Sequence, residues 1–351
     1  MVKSSQRNSA VTLEDVAKAV GMSVSTVSRT FTPGASVGQN AKSKILAAAR
    51  ELGYRPNAIA RTLSTKKSRI VALVVSYLHN QFYPTIIERL CKLLEIDGFH
   101  VLLFVNEETV REQTHTDDLL LEILGYQVDG IILASSLISS RLAKRCHDSA
   151  TPVVMFNRIS KVRGVSTVAS DNYAGGLLAA KTLLDRGAKR IGFIAGVEQA
   201  STSIERERGF RDGLAQRRRA LDARECGDYD LHLACDAARR MFNNYRSRPD
   251  AVFVANDHMA FGVMDVIRNE LGLSVPYDVQ VIGFDNVPQS AWQGYALTTL
   301  EQDADSMCKA AISQLLRSIH KKKPARARHI TVPVRLIARQ TTKEPKYPAS
   351  A

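Results

Sequence analysis

Two groups of residues in this 351-residue chain have the types and spacing to do chemistry. The first is Val24, Ser25, Ser28 and Arg29, small or polar groups along one side of a short helical pattern in VTLEDVAKAVGMSVSTVSRTF (11–31). An arginine there can contact a guanine edge or a phosphate, and a valine can meet a thymine methyl. The second group stands where apolar runs end: Asn157-Arg158, Asn256-Asp257 and Asp285-Asn286. Carboxylates accept from vicinal hydroxyls, while Arg and Asn donate to hydroxyl and ring oxygens, so the set suits a polyhydroxylated ligand. One polar residue at a strand end is ordinarily a turn former; several together suit recognition. No GxGxxG follows the first strand pattern, and there is no P-loop, HExxH or GxSxG. The eight histidines do not cluster at metal-ligand spacing. The expected chemistry is therefore binding, with no cofactor or metal and no enzyme activity, although a fold alone would still allow catalysis.

The first group needs two helices to present it. Leu13, Val16, Ala17 and Val20 fall at i, i+3, i+4 and i+7 and share one helical face. Thr12 with Asp15 forms a capping pattern, Gly21 supplies a residue of free φ for a tight turn, and Ser23 caps a second helix whose Val27 and Phe31 face inward. Two short helices joined by a glycine turn, the second with a polar outer face, predict a DNA-binding helix-turn-helix; the alternative is an ordinary αα-hairpin on a larger core. A third helix, with Ile45, Ala48, Ala49 and Leu52 inward and Gly53 ending it, would close a three-helix core. Charge favours the DNA reading. Residues 1–69 carry twelve Lys or Arg against three acids, a net of +9 of the chain's +13.

The second group needs sheets. Apolar, β-branched runs occur at 70–75, 101–105, 130–134, 152–156, 191–196, 251–256 and 279–284. Helical patterns lie between or beyond them at 84–97, 111–124, 172–186, 204–217, 235–246, 258–271 and 303–319. Nearly all-apolar strands alternating with helices predict buried parallel sheets covered on both faces, and ligands gather beyond the carboxyl ends of such strands. The length is ample for more than one domain. Five scattered cysteines without CxxC spacing predict reduced thiols; MVKSSQRNSA has no apolar signal-like run, and no stretch approaches a membrane span. A soluble cytoplasmic protein is expected, nucleoid-associated when on DNA.

VTLEDVAKAVGMSVSTVSRTF, followed by AKSKILAAARELGYRPNAIARTLST, resembles the lactose-repressor (LacI/GalR) family of bacterial transcription regulators, and the resemblance runs to VRLIARQT near the C-terminus. Thr32 stands where the family commonly has Asn, and Gly38 where a Ser usually caps the third helix. The resemblance implies an all-α helix-turn-helix headpiece plus an α/β periplasmic-binding-protein-like effector domain of two doubly wound parallel-sheet subdomains. The expected organisation is a disordered tail at 1–10, the DNA-binding domain at 11–56, a hinge helix and linker at 57–68, and the effector and dimerisation domain at 69–345. Its first subdomain would span about 69–170 plus 300–325, and its second about 171–297 plus 328–341. The chain would cross between them near Ser170–Asn172, Leu297–Leu300 and Lys321–Arg328. On residues alone 57–68 is a plain linker; the resemblance implies a hinge helix whose Leu63 wedges into the minor groove.

DNA contacts are expected from Thr12, Ser23, Val24, Ser25, Thr26, Ser28, Arg29, Tyr54, Asn57, Ala60 and Leu63. Effector contacts carried over by the resemblance are Phe82 and Tyr83, Asn157 and Arg158, Thr202 and Arg206, Tyr229, Asn256, Asp257 and Asp285. A small carbohydrate or sugar acid fits that set better than a purine. If both arginines face the ligand an anionic group is favoured; if one pairs with Asp257 or Asp285 the ligand is neutral. The expected function is a sequence-specific DNA-binding regulator, most simply a repressor, whose operator affinity responds to that effector. One helix-turn-helix reads a half-site, so a homodimer on near-palindromic double-stranded DNA is expected. The tail QTTKEPKYPASA has no heptads to join two dimers. The alternatives are a sugar-processing enzyme, and a sugar-binding transport protein, which would lack the basic helix-turn-helix.

Overall fold

The computed structural model describes residues 11–32, 35–55, 68–76, 78–105, 113–134, 139–160, 162, 164–320 and 326–345. It divides into two compact units, Met1–Ser68 and Arg69–Ala351. The hinge positions Asn57, Ala60 and Leu63, and most of the basic run KKKPARAR, lie outside the described residues.

In the first unit, helices α1 (Leu13–Val20), α2 (Val24–Thr30) and α3 (Gln39–Glu51) enclose a small core. The start of α1 is fixed by a reciprocal cap: the Asp15 amide donates to Thr12 Oγ1 at 3.3 Å, and the Thr12 amide donates to Asp15 Oδ2 at 2.9 Å. Gly21 closes the helix at φ 65°, the left-handed region that only glycine enters freely. Ser23 Oγ then accepts from the Thr26 amide at 3.2 Å and starts α2. Val16, Val27 and Ile45 are completely buried and Ala17 and Ala49 nearly so, which locks the three helices together. Leu52, expected inside, is instead 39% exposed: it is the C-terminal cap of α3, beyond the last turn that faces the core.

The second unit holds two six-stranded sheets. The first contains β1 (Ile70–Val75), β2 (His100–Val105), β3 (Gly130–Ala134), β4 (Val153–Phe156), β5 (Ser166–Ser170) and β11 (His329–Val332), in the order β11-β5-β4-β3-β1-β2, all parallel. The second contains β6 (Ile191–Ala195), β7 (Ala223–Cys226), β8 (Ala251–Val254), β9 (Gln280–Asp285), β10 (Thr298–Gln302) and β12 (Val334–Ile337), in the order β12-β10-β9-β8-β6-β7. Only the β10–β12 pairing is antiparallel. Helices α4 (Phe82–Ile96), α5 (Gln113–Gly125), α6 (Ser140–Asp148) and α11 (Ala304–Ile319) belong with the first sheet. Helices α7 (Asn172–Asp185), α8 (Ser201–Gln216), α9 (Leu231–Phe242) and α10 (Asp257–Asp265) belong with the second, α10 running on into a π-helical turn at Val266–Glu270.

The crossings differ from the expected ones. Because β10 lies in the second sheet and α11 packs on β3, β4 and β5, the second crossing is at Asp303 rather than near 297–300. Because β11 pairs with β5 and β12 with β10, the third is at Pro333 rather than in 321–328. The division at 300 and at 328 is corrected accordingly. These strands escaped the sequence pattern because four of the five residues of β10 are polar and the four-residue β11 and β12 are too short to form an apolar run; β5 and β7 were missed for the same reasons, and α6 because it buries only Leu142, Ala143 and Cys146.

Two devices fix α8, the helix that carries Thr202 and Arg206. Phe210 on α8 meets Phe193 of β6 and Phe253 of β8 at ring-centroid distances of 5.8 and 5.0 Å, contacts worth about 0.5–1.5 kcal/mol each beyond their buried area. On its other side α8 touches α7 backbone to backbone, since a Cβ on Gly176 would fall 2.2 Å from the Arg206 carbonyl oxygen. No helix among the described residues is long and apolar enough to cross a membrane.

Candidate functional site

A cavity of about 780 Å³ opens where the carboxyl ends of both sheets converge. From the first sheet, the turn after β4 brings Asn157 and Arg158. Asn157 has φ 57°, and its Nδ2 donates to Tyr83 Oη, on the first turn of α4, at 3.2 Å. Arg158 is buried and reaches across to the second sheet's side, its Nη1 donating to Thr202 Oγ1 at 2.8 Å. Beside it the Ile159 amide donates to Ser201 Oγ at 3.0 Å, a second bond between the two walls. Thr202 Oγ1 and Tyr229 Oη lie 3.1 Å apart and share a hydrogen bond.

Arg206, equally buried, is held on every side. Its Nε donates to Asn172 Oδ1 at 2.8 Å, its Nη1 donates to the Ala255 carbonyl, and its Nη2 lies 3.7 Å from Asp285 Oδ1. The guanidinium also stacks on Phe284, 3.5 Å from the ring centroid. Burial pushes the Asp285 carboxyl well above the usual carboxylate range, against the pull of Arg206. Burial raises Asp257 too, against the Thr299 hydroxyl, which donates to its Oδ1 at 2.6 Å, and the Val287 amide, which donates to Oδ2 at 3.0 Å.

Two observations mark this cavity as a binding site. Of ten non-glycine residues with positive φ among the described residues, Asn157, Asp228, Tyr229 and Asp285 line it, and such strain persists where the surrounding structure holds it for a purpose. Asn157 Oδ1 and Asn256 Nδ2 are buried in its lining with no hydrogen-bond partner. Asn256 Oδ1 accepts from the Met259 amide at 3.0 Å as the cap of α10, which fixes the amide and leaves its donor end for something else.

Residues 12–57 match the family of bacterial regulatory proteins, lacI family, and residues 180–342 match the periplasmic binding protein-like domain. The ribose operon repressor of Bacillus subtilis (strain 168) is 30% identical over 334 residues, covering 95% of this chain and 99% of that protein. The chain belongs to the lacI family of bacterial regulatory proteins. Catabolite control protein A of Priestia megaterium is 29% identical over 338 residues, 95% of this chain and 99% of that one. Among solved structures, a lac repressor dimer bound to operator and the anti-inducer ONPF has a TM-score of 0.84 at 25% identity, over 95% of this chain and all of that one. As a lacI-family member the chain is a DNA-binding transcriptional regulator and not an enzyme.

For the lacI-family headpiece, Thr12, Ser23, Val24, Ser25, Ser28 and Arg29 are exposed, and Thr26 is half-buried. Val24 is the informative one, a valine left 43% exposed on a helix whose Val27 is completely buried. Tyr54 is half-buried, with its ring 5.5 Å from that of Phe31, so its ring closes the headpiece core.

Of the expected effector residues, Tyr83, Asn157, Arg158, Thr202, Arg206, Tyr229, Asn256 and Asp285 line the cavity. Phe82 and Asp257 do not. The Phe82 ring packs edge-on to Tyr83 in the core at 5.5 Å, and the Asp257 carboxyl turns away toward β9 and β10 to hold Thr299 and Val287. Three histidines not foreseen, His79, His232 and His258, line the cavity with Asp228 and Asp230. His258 Nδ1 lies 3.1 Å from Gln81 Oε1, a third bond between the walls, and burial lowers its pKa. Their signal was faint: single polar residues at helix starts, LHL at 231–233 and NDH at 256–258.

Gly196 was also unforeseen. A Cβ there would fall 2.2 Å from the Tyr229 ring, so the glycine is the seat on which that ring lies. Gly196→Ala is expected to displace Tyr229 at a cost of about 1–3 kcal/mol, because the added Cβ sits on backbone directly after β6 and the ring must move instead. Effector affinity should fall about tenfold or more, which corresponds to about 1.4 kcal/mol, while operator affinity without effector stays the same. Calorimetry and operator titration check it; a crystal structure with Tyr229 unmoved would remove the explanation.

Proposed function

We propose that this chain is a dimeric repressor whose operator affinity is set by a small neutral sugar bound in the cavity between the two subdomains. The observation that carries the ligand class is the state of Arg206. Its guanidinium is taken up by Asn172, the Ala255 carbonyl and Asp285 rather than held for a ligand, and Asp228 and Asp230 line the same cavity, so an anionic effector would meet carboxylates. The two unpaired amide atoms, one acceptor on Asn157 and one donor on Asn256, suit hydroxyl groups, which donate and accept together. Tyr83 and Tyr229 add apolar wall area for a sugar face. Relatives support the same class: a CelR regulator was solved with cellobiose (27% identity, TM-score 0.70), and an Alkaliphilus metalliredigens homologue with D-xylulofuranose (25%, 0.69).

The dimer follows from symmetry. One recognition helix reads one half-site, so two subunits read a near-palindromic operator, with residues 57–68 as the hinge segment between headpiece and effector domain. The protein acts in the cytoplasm, where the operator is. The effector regulates only through different affinity for the DNA-bound and free states, and linkage makes that effect reciprocal.

A thermal-shift screen of D-ribose, D-xylulose, cellobiose, sugar acids and nucleobases, followed by operator titration with each hit, tests this reading. A neutral sugar should raise Tm and change operator affinity. Stabilisation by nucleobases or sugar acids alone would overturn it. For the DNA end, exchanging Val24 and Ser25 together is expected to change the preferred operator while leaving effector affinity intact, since each mismatched base pair costs about 1–3 kcal/mol. Selection of operators from random sequence checks this, and an unchanged consensus would count against the assigned face.

A further inference from the structure

Asp285 lies between two cavities. It lines the effector cavity on one side, and on the other a second cavity bounded by two of the three segments that cross between the subdomains, those at Asp303 and Pro333. Gln302 lines only the second. It is the last residue of β10, directly before the crossing at Asp303, and Ser170 is the last residue of β5, directly before the crossing at Asp171. All three side chains are buried, Ser170 at 2%, Gln302 at 3% and Asp285 at 5% exposure.

Their hydrogen bonds form one line. Gln302 Nε2 donates to Asp285 Oδ1 at 2.6 Å, and Ser170 Oγ donates to Gln302 Oε1 at 2.7 Å. The amide is set with its NH2 end toward Asp285, whose ionised carboxylate accepts, while the serine hydroxyl serves the carbonyl end. Asp285 continues the line to Arg206, and Arg206 to Asn172 at the start of α7, on the far side of the same crossing as Ser170. The line therefore leaves one crossing, passes through a carboxylate in the cavity wall, and returns to that crossing.

We propose that Gln302 is a positioning residue that ties the orientation of Asp285 to the angle between the two subdomains. This deepens the proposed function, resting on the same cavity. Ser170 belongs to the first sheet, Gln302 and Asp285 to the second, so a rotation at the crossings must break or re-aim one of two buried bonds. A buried polar group left unpaired is strongly disfavoured, which makes the intermediate angles unfavourable and the two end states discrete. A ligand hydroxyl that draws Asp285 from Gln302 frees the amide, and the angle changes with it.

The test needs no ligand. Spin labels carried on ketone-bearing residues at Lys144 on α6 and Gln216 on α8, both exposed and one on each subdomain, report the inter-subdomain distance in the full chain. In dimers formed with an excess of unlabelled chain, so that one subunit carries both labels, wild type should give one narrow distance distribution. Gln302→Leu should add a second peak, Ser170→Ala should add the same peak, and the double variant should go no further. Gln302→Glu should also add it, since two carboxylates then face each other, and Gln302→Glu with Asp285→Asn should restore the single peak by returning a donor to the line. A purely structural loss at 302 would not be rescued in that way. Distributions that coincide with wild type in Gln302→Leu and Ser170→Ala, or no rescue in the paired variant, would overturn the proposal. Titration of wild type with D-ribose, D-xylulose and cellobiose is a separate arm: failure of all three counts against the sugar reading and leaves the distance result standing.

Discussion

Arg206→Ala is expected to lower the stability of the effector domain by about 3–5 kcal/mol and to abolish effector binding in the same step, because removing one partner leaves a buried charge uncompensated. From the sequence alone this position would be altered only to silence the ligand site, with the fold intact. The structure gives the guanidinium three further tasks. It ties α7 through Asn172, holds the Ala255 carbonyl at the end of β8, and covers the Phe284 ring. Asp285 would keep Gln302 as a donor but lose its only cation within ion-pair distance among the described residues, so its carboxyl would rise further toward the neutral form. Urea unfolding measures the first effect and calorimetry the second. The headpiece has its own core, built from Val16, Val27 and Ile45, so nonspecific DNA binding should persist. A variant with wild-type urea midpoint and no effector binding would show that Arg206 serves only the ligand.

Much of this was legible because some positions obey one physical rule alone. Thr12, Asp15, Gly21 and Ser23 are read from capping and turn chemistry, and each performs that task in the structure. The seven apolar runs are strands because short, β-branched runs such as IVALVV and AVFV suit a parallel strand buried on both faces. Legibility failed where tertiary partners decide. The segments TTLEQ and HITV become strands only because β9 and β5 stand beside them, so the crossings at Asp303 and Pro333 left no local trace. Asp257 and Asp285 look alike in sequence, each a carboxylate beside an asparagine at a strand end. Asp285 faces the cavity and Asp257 faces β9 and β10, a choice made by the space that Gly283 leaves, where a Cβ would lie 2.2 Å from Asp257 Oδ1. Gln302 carried no signal, since its meaning lies in Ser170, 132 positions away.

Gly209→Ala is expected to destabilise the effector domain by about 2–3 kcal/mol, although alanine is the better helix former by about 1 kcal/mol. Gly209 lies inside α8, and a Cβ there would stand 2.0 Å from the Tyr173 carbonyl oxygen of α7. No rotamer relieves a clash between a Cβ and a carbonyl, so the helices must separate. They have little room: a Cβ on Gly176 would stand 2.6 Å from the Phe210 amide nitrogen, and one on Gly213 2.7 Å from the Ala180 Cβ, along the same stripe. Arg206 stands about one turn before Gly209, and its 2.8 Å bond to Asn172 spans the two helices being pushed apart. Effector affinity should therefore fall together with stability, without any change to a group in the cavity lining. Gly125→Ala is the control, because that glycine ends α5 with nothing within 4 Å of its would-be Cβ and should tolerate alanine. If urea unfolding placed Gly209→Ala level with Gly125→Ala, the two helices would not be in backbone contact, and the placement of Arg206 would need another cause.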